Sequence, residues 1–163
     1  MRRGYIFLEI LMGVALTGLV FVGAVAMFGD MRLKMQEHQL ESAARKFMAD
    51  CRGVQQYNMY VTAEDKIDGE KVIYQYKIVA PLNKNYYTID INDSSSDHKE
   101  YYFADVGCDK VYFGGTGTKE VLFSALGSVN DSAYIVLKHR DNEDLQLTLN
   151  LQPVTGRIEI ENN

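Results

Sequence analysis

The fold of this chain is decided by the apolar stretch from Gly4 to Phe28, which is GYIFLEILMGVALTGLVFVGAVAMF. Between Tyr5 and Phe28 the stretch has one charged residue, Glu9. As an α-helix it would be about 36 Å long, which is enough to cross a hydrocarbon core of roughly 30 Å. Arg2 and Arg3 precede it, and basic residues favour the cytoplasmic side of a membrane. We therefore predict a single membrane-spanning helix with its N-terminus in the cytoplasm and the remainder of the chain outside.

The overall composition is that of one folded domain attached to this helix. The 163 residues have a net charge of −5 and an isoelectric point near 5.2. An acidic chain is not expected to bind nucleic acid directly, since nucleic-acid-binding proteins normally have an excess of basic residues. Two cysteines are too few for a disulfide-rich miniprotein or a four-cysteine zinc site.

A cleavable secretory signal peptide is the alternative interpretation of the same stretch. Ala24-Val25-Ala26 matches the small-residue pattern of a cleavage site. The apolar run is longer than the usual apolar region of a signal peptide, about 7–15 residues, and it has Glu9 inside it. Both observations favour a membrane span that is retained.

Glu9 is the most informative residue of the chain. A carboxylate in the membrane interior costs about 2.5–3.5 kcal/mol on insertion scales, so it requires a partner or a proton. If the chain were cut after Gly4, the new α-amino group of Tyr5 would lie one helical turn from Glu9, in the same chain or against a neighbouring copy. The alternative is that Glu9 lies near the membrane interface of an ordinary signal anchor. That alternative does not explain the position of Gly4.

The residues Gly4-Tyr5-Ile6-Phe7-Leu8-Glu9 resemble the processing motif of type IV pilins and of the type II secretion pseudopilins. The resemblance implies that a prepilin peptidase cuts between Gly4 and Tyr5 and methylates the new N-terminus at Tyr5, and that Glu9 is the assembly glutamate. It also implies a cleaved leader (1–4), a transmembrane and fibre-core helix (5–28) and a globular head that includes the second half of the helix (29–163). The chain has Tyr5 where the family usually has Phe, and Ile6 where it usually has Thr.

The helical pattern is predicted to continue beyond the membrane. No proline occurs before Pro81, and Glu41 and Arg45 have the spacing of a helical ion pair. An amphipathic second half should press one apolar face onto the head. That face comprises Leu33, Leu40, Ala44, Phe47, Met48, Cys51 and Val54.

From Lys71 onward, apolar residues alternate with polar ones, which is typical of strands. We predict an α+β fold that is pilin-like, in which the long helix packs on a mainly antiparallel sheet. The tip of one hairpin is expected at Asp141–Asp144. The predicted strands are 72–78, 87–91, 101–103, 111–113, 121–123, 134–137, 145–151 and 157–161.

Within the pilin family the chain is most similar to the GspH/FimT-like minor pilins and pseudopilins. The residues that resemble this group lie in the helix from Ala43 to Gln56, and near the end of the chain in Val121-Leu122-Phe123, Gly127-Ser128, Tyr134–Leu137 and Val154–Ile158. The N-terminal part of this likeness is the more specific.

No catalytic, cofactor or metal site is predicted. The histidines His38, His98 and His139 lack a metal-ligand spacing. The glycine-rich segment 114–119 lacks phosphate-loop spacing and leads into a strand, so we interpret it as a turn. The oxygen-rich segment from Asp90 to Asp97 fails the EF-hand pattern, and a looser calcium site in such a loop stays open.

Cys51 and Cys108 are both expected on the oxidising side of the membrane, where disulfides persist. A Cys51–Cys108 bridge would contribute about 4 kcal/mol in the chain-entropy model. The alternative is a buried thiol at Cys51 and an unrelated thiol at Cys108, and the sequence does not decide between them.

The predicted function is that of a structural subunit and not of an enzyme: a minor pilin or pseudopilin of a type IV pilus, a type II secretion system or a DNA-uptake pseudopilus. The resemblance implies location in the bacterial cytoplasmic (inner) membrane and then in a fibre. The implied partners are other pilin subunits, the prepilin peptidase, the inner-membrane assembly platform and membrane lipid. The alternatives are a signal-anchored extracytoplasmic binding domain and a hydrolase secreted after cleavage behind Ala26.

Overall fold

The computed structural model describes residues 2–60, 65–67, 70–72, 76–91, 94–124, 126–129 and 133–161. The chain consists of two compact units, Met1–Glu37 and His38–Asn163. The first unit is formed by the beginning of helix α1 (Arg2–Tyr60), and the second contains its remaining residues together with all the strands. The long proline-free helix predicted from the sequence is therefore confirmed.

In the described part of the chain, ten strands and one short 3₁₀ helix follow α1. The 3₁₀ helix, Phe103–Val106, comes directly after the fifth strand. The strands are β1 (Asp65–Ile67), β2 (Glu70–Val72), β3 (Tyr76–Pro81), β4 (Tyr86–Ile91), β5 (Ser94–Tyr102), β6 (Val111–Phe113), β7 (Thr118–Leu122), β8 (Ala133–His139), β9 (Asn142–Leu151) and β10 (Ile158–Glu161).

The strands form one small and two larger sheets, and all their described pairings are antiparallel. Strands β1 and β2 pair with each other, β5-β4-β3-β7 form one four-stranded sheet, and β10-β9-β8-β6 form the other. The α+β class with antiparallel sheets is confirmed. The sequence prediction of one sheet did not anticipate that the strands separate into several.

Two local predictions differ from the structure. The segment expected to be an oxygen-rich loop is largely strand, since β5 begins at Ser94, with residues 92 and 93 outside the described part of the chain. The hairpin tip expected at Asp141–Asp144 is shorter, because β9 already begins at Asn142. In both places polar residues suggested a loop, but they occupy strands whose pairing the local composition does not reveal.

The apolar face of α1 forms the centre of the head. Phe47 is fully buried, and its ring meets those of Tyr87 and Phe113 edge-on at centroid distances of 5.0 and 5.4 Å. These contacts join the helix to both four-stranded sheets, because Tyr87 lies on β4 and Phe113 on β6. The predicted face is confirmed at Leu40, Ala44, Phe47, Cys51 and Val54, all of which are buried, and Met48 packs against them. Leu33, in the first unit, is exposed and is not part of this core.

Candidate functional site

The described residues of the first unit present an exposed apolar surface. Every described side chain from Tyr5 to Phe28 is exposed apart from Ala24, which is half-buried. The helix is long and apolar enough to cross a membrane, with a mean hydropathy of 2.4 in its most apolar part. An exposed apolar surface of this size requires lipid or other apolar helices around it. It is a candidate membrane span, in agreement with the coarse prediction from the sequence.

The residues that resemble a pilin processing motif lie in the first turns of this helix. Gly4 and Tyr5 follow closely after Arg2, where α1 begins. The first four N–H groups of a helix have no partner within the helix.

Tyr5 and Glu9 lie on the same face of the helix, since residues four apart are neighbours on its surface. Tyr5 is 82% exposed, and Glu9 is also exposed. A cut after Gly4 would make Tyr5 the first residue and place its α-amino group within one turn of the Glu9 carboxylate. The positive end of the helix dipole would lie at the same place. The helix thus brings together the three residues that the resemblance named.

A strip of small residues follows one turn further along. Gly13 and Gly18 have no atom within 4 Å of where a side chain would begin. Thr17 donates its hydroxyl hydrogen bond to the carbonyl oxygen of Gly13, with Val14 O 3.3 Å away. The only polar side chain of this strip is therefore satisfied inside its own helix, as an apolar environment requires. Small residues of this kind allow a second helix to approach closely.

The two cysteines are buried in the head as free thiols, so the disulfide considered from the sequence is not formed. The Cys108 thiol donates to the carbonyl oxygen of Val106 at 3.5 Å and interacts with the backbone of Ala43. Ala43 is eight residues from Cys51, which is about 12 Å along a helix. A disulfide needs Cα atoms within about 7 Å of each other. Burial raises the pKa of both thiols, which lowers their reactivity.

The structure contains polar contacts at the helix–sheet boundary that the sequence did not predict. Asp50 accepts hydrogen bonds from Lys46 Nζ at 2.6 Å and from the buried Tyr87 hydroxyl. Burial and the Asp50 carboxylate both raise the pKa of Tyr87, so its hydroxyl keeps its proton and remains a donor. No local motif signals this pair, because the two residues are 37 positions apart in the chain.

Two amides and a histidine fix the ends of the head segment of α1. Asn58, which is 4% exposed, hydrogen bonds to Tyr76 on β3 and to Phe123 after β7. At the other end, the His139 Nε2 atom lies 2.9 Å from Gln39 Oε1, which can only accept, so the imidazole donates. His139 is buried as a packing residue, while His38 and His98 are exposed.

No cluster of three or more metal-binding side chains occurs among the residues that the structure describes. The segment 114–117 is a turn that leads into β7, and no helix begins there to receive a phosphate. The described head does contain a cleft of about 540 Å³ between α1 and the sheet that includes β4 and β5. The geometry therefore offers an apolar helix surface and a cleft as the places where another molecule can bind.

Comparison with known proteins returned no similarity: no family model, no curated protein and no solved structure matches this chain. Its function must therefore be inferred from the residues and contacts described above.

Proposed function

We propose that this protein is a minor pilin or pseudopilin, a structural subunit that is anchored in the bacterial inner membrane until it is incorporated into a fibre or its tip complex. One observation supports the proposal above the others: an exposed apolar helix contains a single acid, Glu9, one turn after a Gly4–Tyr5 bond. An ordinary membrane anchor has no need of that acid, which costs about 2.5–3.5 kcal/mol to insert. A subunit that assembles into a fibre uses this acid as the partner of a neighbouring subunit's N-terminal amine.

The proposed mechanism begins with the cut between Gly4 and Tyr5. The prepilin peptidase removes the leader and leaves a positively charged, N-methylated amine on Tyr5. In a packed bundle, Glu9 of one subunit neutralises the amine of its neighbour. Only the correct axial register brings the two charges together, because an unpaired buried charge is destabilising by about 3–5 kcal/mol. The charge pair thus selects the register while the apolar surface supplies the contact area.

Extraction from the membrane has a small net cost in this scheme, since the helix exchanges lipid for the apolar surfaces of neighbouring helices. The strip formed by Gly13, Thr17 and Gly18 lets a neighbouring helix approach. The head has its own hydrophobic core, centred on Phe47. Its fold therefore does not depend on neighbouring subunits and is the same before and after assembly. Other pilin subunits, the assembly platform and lipid are the partners in this proposal.

The first test is the identity and mass of the N-terminal residue in the protein purified from its native host. N-methylated Tyr5 is the expected result. A chain that begins at Met1 would instead indicate a signal-anchored binding domain, and one that begins at Met27 would indicate a secreted protein. Either of these two results contradicts the proposal.

The second test is the substitution Glu9→Ala. We expect this variant to insert into the membrane at least as well as the wild type, because it lacks the charge that opposes insertion. It should nevertheless be absent from fibres or detergent-stable assemblies, because the Tyr5 amine of its neighbour has lost its partner. Glu37→Ala is the matched control, since Glu37 is an exposed acid of the same helix beyond the apolar stretch. Incorporation of Glu9→Ala at the level of this control would contradict the mechanism.

A signal-anchored extracytoplasmic binding domain is the second candidate. The observation that favours it is the cleft on a head that has its own core. It requires neither a cut after Gly4 nor a partner for Glu9, so the two tests above separate it from the first candidate.

A further inference from the structure

The cleft on the head lies between helix residues 49–57 and the sheet face formed by β3, β4 and β5, and its volume is about 540 Å³. Tyr57 of the helix stacks on Tyr76 of β3, with ring centroids 5.5 Å apart, at one side of the cleft. The helix contributes Gly53, whose missing side chain leaves open space with no atom within 4 Å. The larger apolar and aromatic lining residues are Val54, Tyr57, Tyr76, Ile89, Ile91 and Tyr101.

The charged side chains at the cleft differ in whether a neighbouring group of the chain neutralises them. Asp50 is fully engaged, since it accepts from both Lys46 and Tyr87. Lys99 lies on the β5 side of the cleft, with its Nζ atom 5.1 Å from the centre of the Tyr101 ring. Among the residues that the structure describes, no carboxylate is within ion-pair distance of Lys99. The cleft therefore has a positive charge available for an acidic group.

Strand β5 is also the last strand of its sheet in the described part of the chain. In the ladder between β5 and β4, Tyr101 lies opposite Tyr87 and Lys99 lies opposite Ile89. Two residues beyond Tyr101, the Phe103 N–H donates a hydrogen bond to the Asn85 carbonyl oxygen, so alternate pairs counted from there are the hydrogen-bonded ones. Hydrogen-bonded and non-hydrogen-bonded pairs alternate along an antiparallel ladder. The backbone of Glu100, which lies between two bonded positions, therefore points away from β4 toward the open edge. An exposed edge of this kind is a template for an added strand.

We propose that this cleft and the β5 edge bind an extended segment of another protein. The segment pairs with β5, inserts a large apolar side chain between α1 and the sheet, and places an acidic side chain beside Lys99. A separation of two residues puts these two side chains on one face, because residues i and i+2 of a strand share a face. The inference goes beyond the proposed function, since such a site would serve a fibre subunit and an anchored binding domain equally.

The probe is a capped peptide that has the chemistry of such a segment: alternating Thr and Val, with one Phe and a Glu two residues after it. Binding to the full chain in detergent micelles is measured by fluorescence anisotropy of a labelled peptide, at concentrations up to about 1 mM. We expect saturable binding. We also expect a loss of about two- to fivefold in affinity when Glu in the peptide is replaced by Gln, or when Lys99→Gln is used, as for an exposed ion pair.

Gly53→Leu is the decisive variant because it fills the cleft from the helix side. A Cβ atom at Gly53 meets no atom within 4 Å, and leucine is a better helix former than glycine, so we expect the head to remain folded. We expect it to abolish peptide binding, while Gln56→Leu, at an exposed position outside the cleft, leaves binding unchanged. Lys119→Gln on β7 is the matched control for Lys99→Gln.

A peptide that is N-methylated at alternate residues tests the strand pairing and should bind at least tenfold more weakly. Absence of saturable binding, unchanged affinity for Gly53→Leu, or equal affinities of the Glu and Gln peptides would each overturn the inference. None of these results bears on the cut at Gly4 or on the role of Glu9, so they leave the proposed function standing.

Discussion

Asn58 is expected to hold the end of α1 on the head, and the variant Asn58→Ala tests this directly. The side-chain amide of Asn58 donates to Tyr76 O at 2.8 Å and to Phe123 O at 2.9 Å. Its oxygen accepts from Tyr76 N, also at 2.9 Å. One side chain thus satisfies backbone groups from β3 and from the segment that follows β7. The alanine variant leaves all of these groups without that partner.

The magnitude follows from the number of bonds and from the burial. Each hydrogen bond contributes about 0.5–1.5 kcal/mol net, and a buried backbone group without a partner costs about 1–3 kcal/mol. Because Asn58 is only 4% exposed, water does not readily replace it. We expect Asn58→Ala to lower the free energy of unfolding by about 3 kcal/mol. Asn58→Asp should be at least as destabilising, since a carboxylate cannot donate to the two carbonyl oxygens.

The assay is urea unfolding of the full chain in detergent micelles. Unfolding is followed by near-UV circular dichroism, which reports on the packing of aromatic side chains. The signal comes mainly from the 11 tyrosines, since the chain has no tryptophan. The control is Gln56→Ala, an exposed position on the same helix, which should change the free energy of unfolding by less than about 0.5 kcal/mol. If Asn58→Ala costs no more than this control, the anchoring role of Asn58 is refuted.

Two other predictions concern the turns and the thiols of the head. A Cβ atom on Gly156 would lie 2.0 Å from the Gly127 carbonyl oxygen, so Gly156→Ala should destabilise the head by more than about 3 kcal/mol. In Gly117→Ala the added Cβ atom has no close neighbour and only the positive φ is unfavourable, so this variant should lower the free energy of unfolding by about 1 kcal/mol. Equal losses of unfolding free energy for the two variants would contradict the close contact between position 156 and the Gly127 carbonyl oxygen. Cys51 and Cys108 should resist a thiol reagent in the folded chain and give two free thiols after unfolding without reductant; fewer than two would indicate a bridge.

The sequence was sufficient for features that depend on local periodicity. The apolar stretch from Tyr5 to Phe28 predicts a membrane-spanning helix by its length and composition, and the structure has a candidate span there. The buried face around Phe47 follows from helical spacing. The strands near Tyr87–Ile91 and Val111–Phe113 were predicted from alternation and are present within or at β4 and β6. The residues that resemble a pilin processing motif, Gly4, Tyr5 and Glu9, are also close together in the chain, within two helical turns, and their role stays a prediction.

Features that depend on residues far apart in the chain were decided by the tertiary structure. The separation of the strands into two four-stranded sheets and the free thiols of Cys51 and Cys108 are of this kind. So are the contacts of Asn58 with Tyr76 and Phe123, and the bond between Asp50 and Tyr87. A periodic pattern states which face of an element is apolar, but it does not state which other element covers that face. Packing decides that, because each buried polar group must find its partner wherever the close-packed core leaves one within reach.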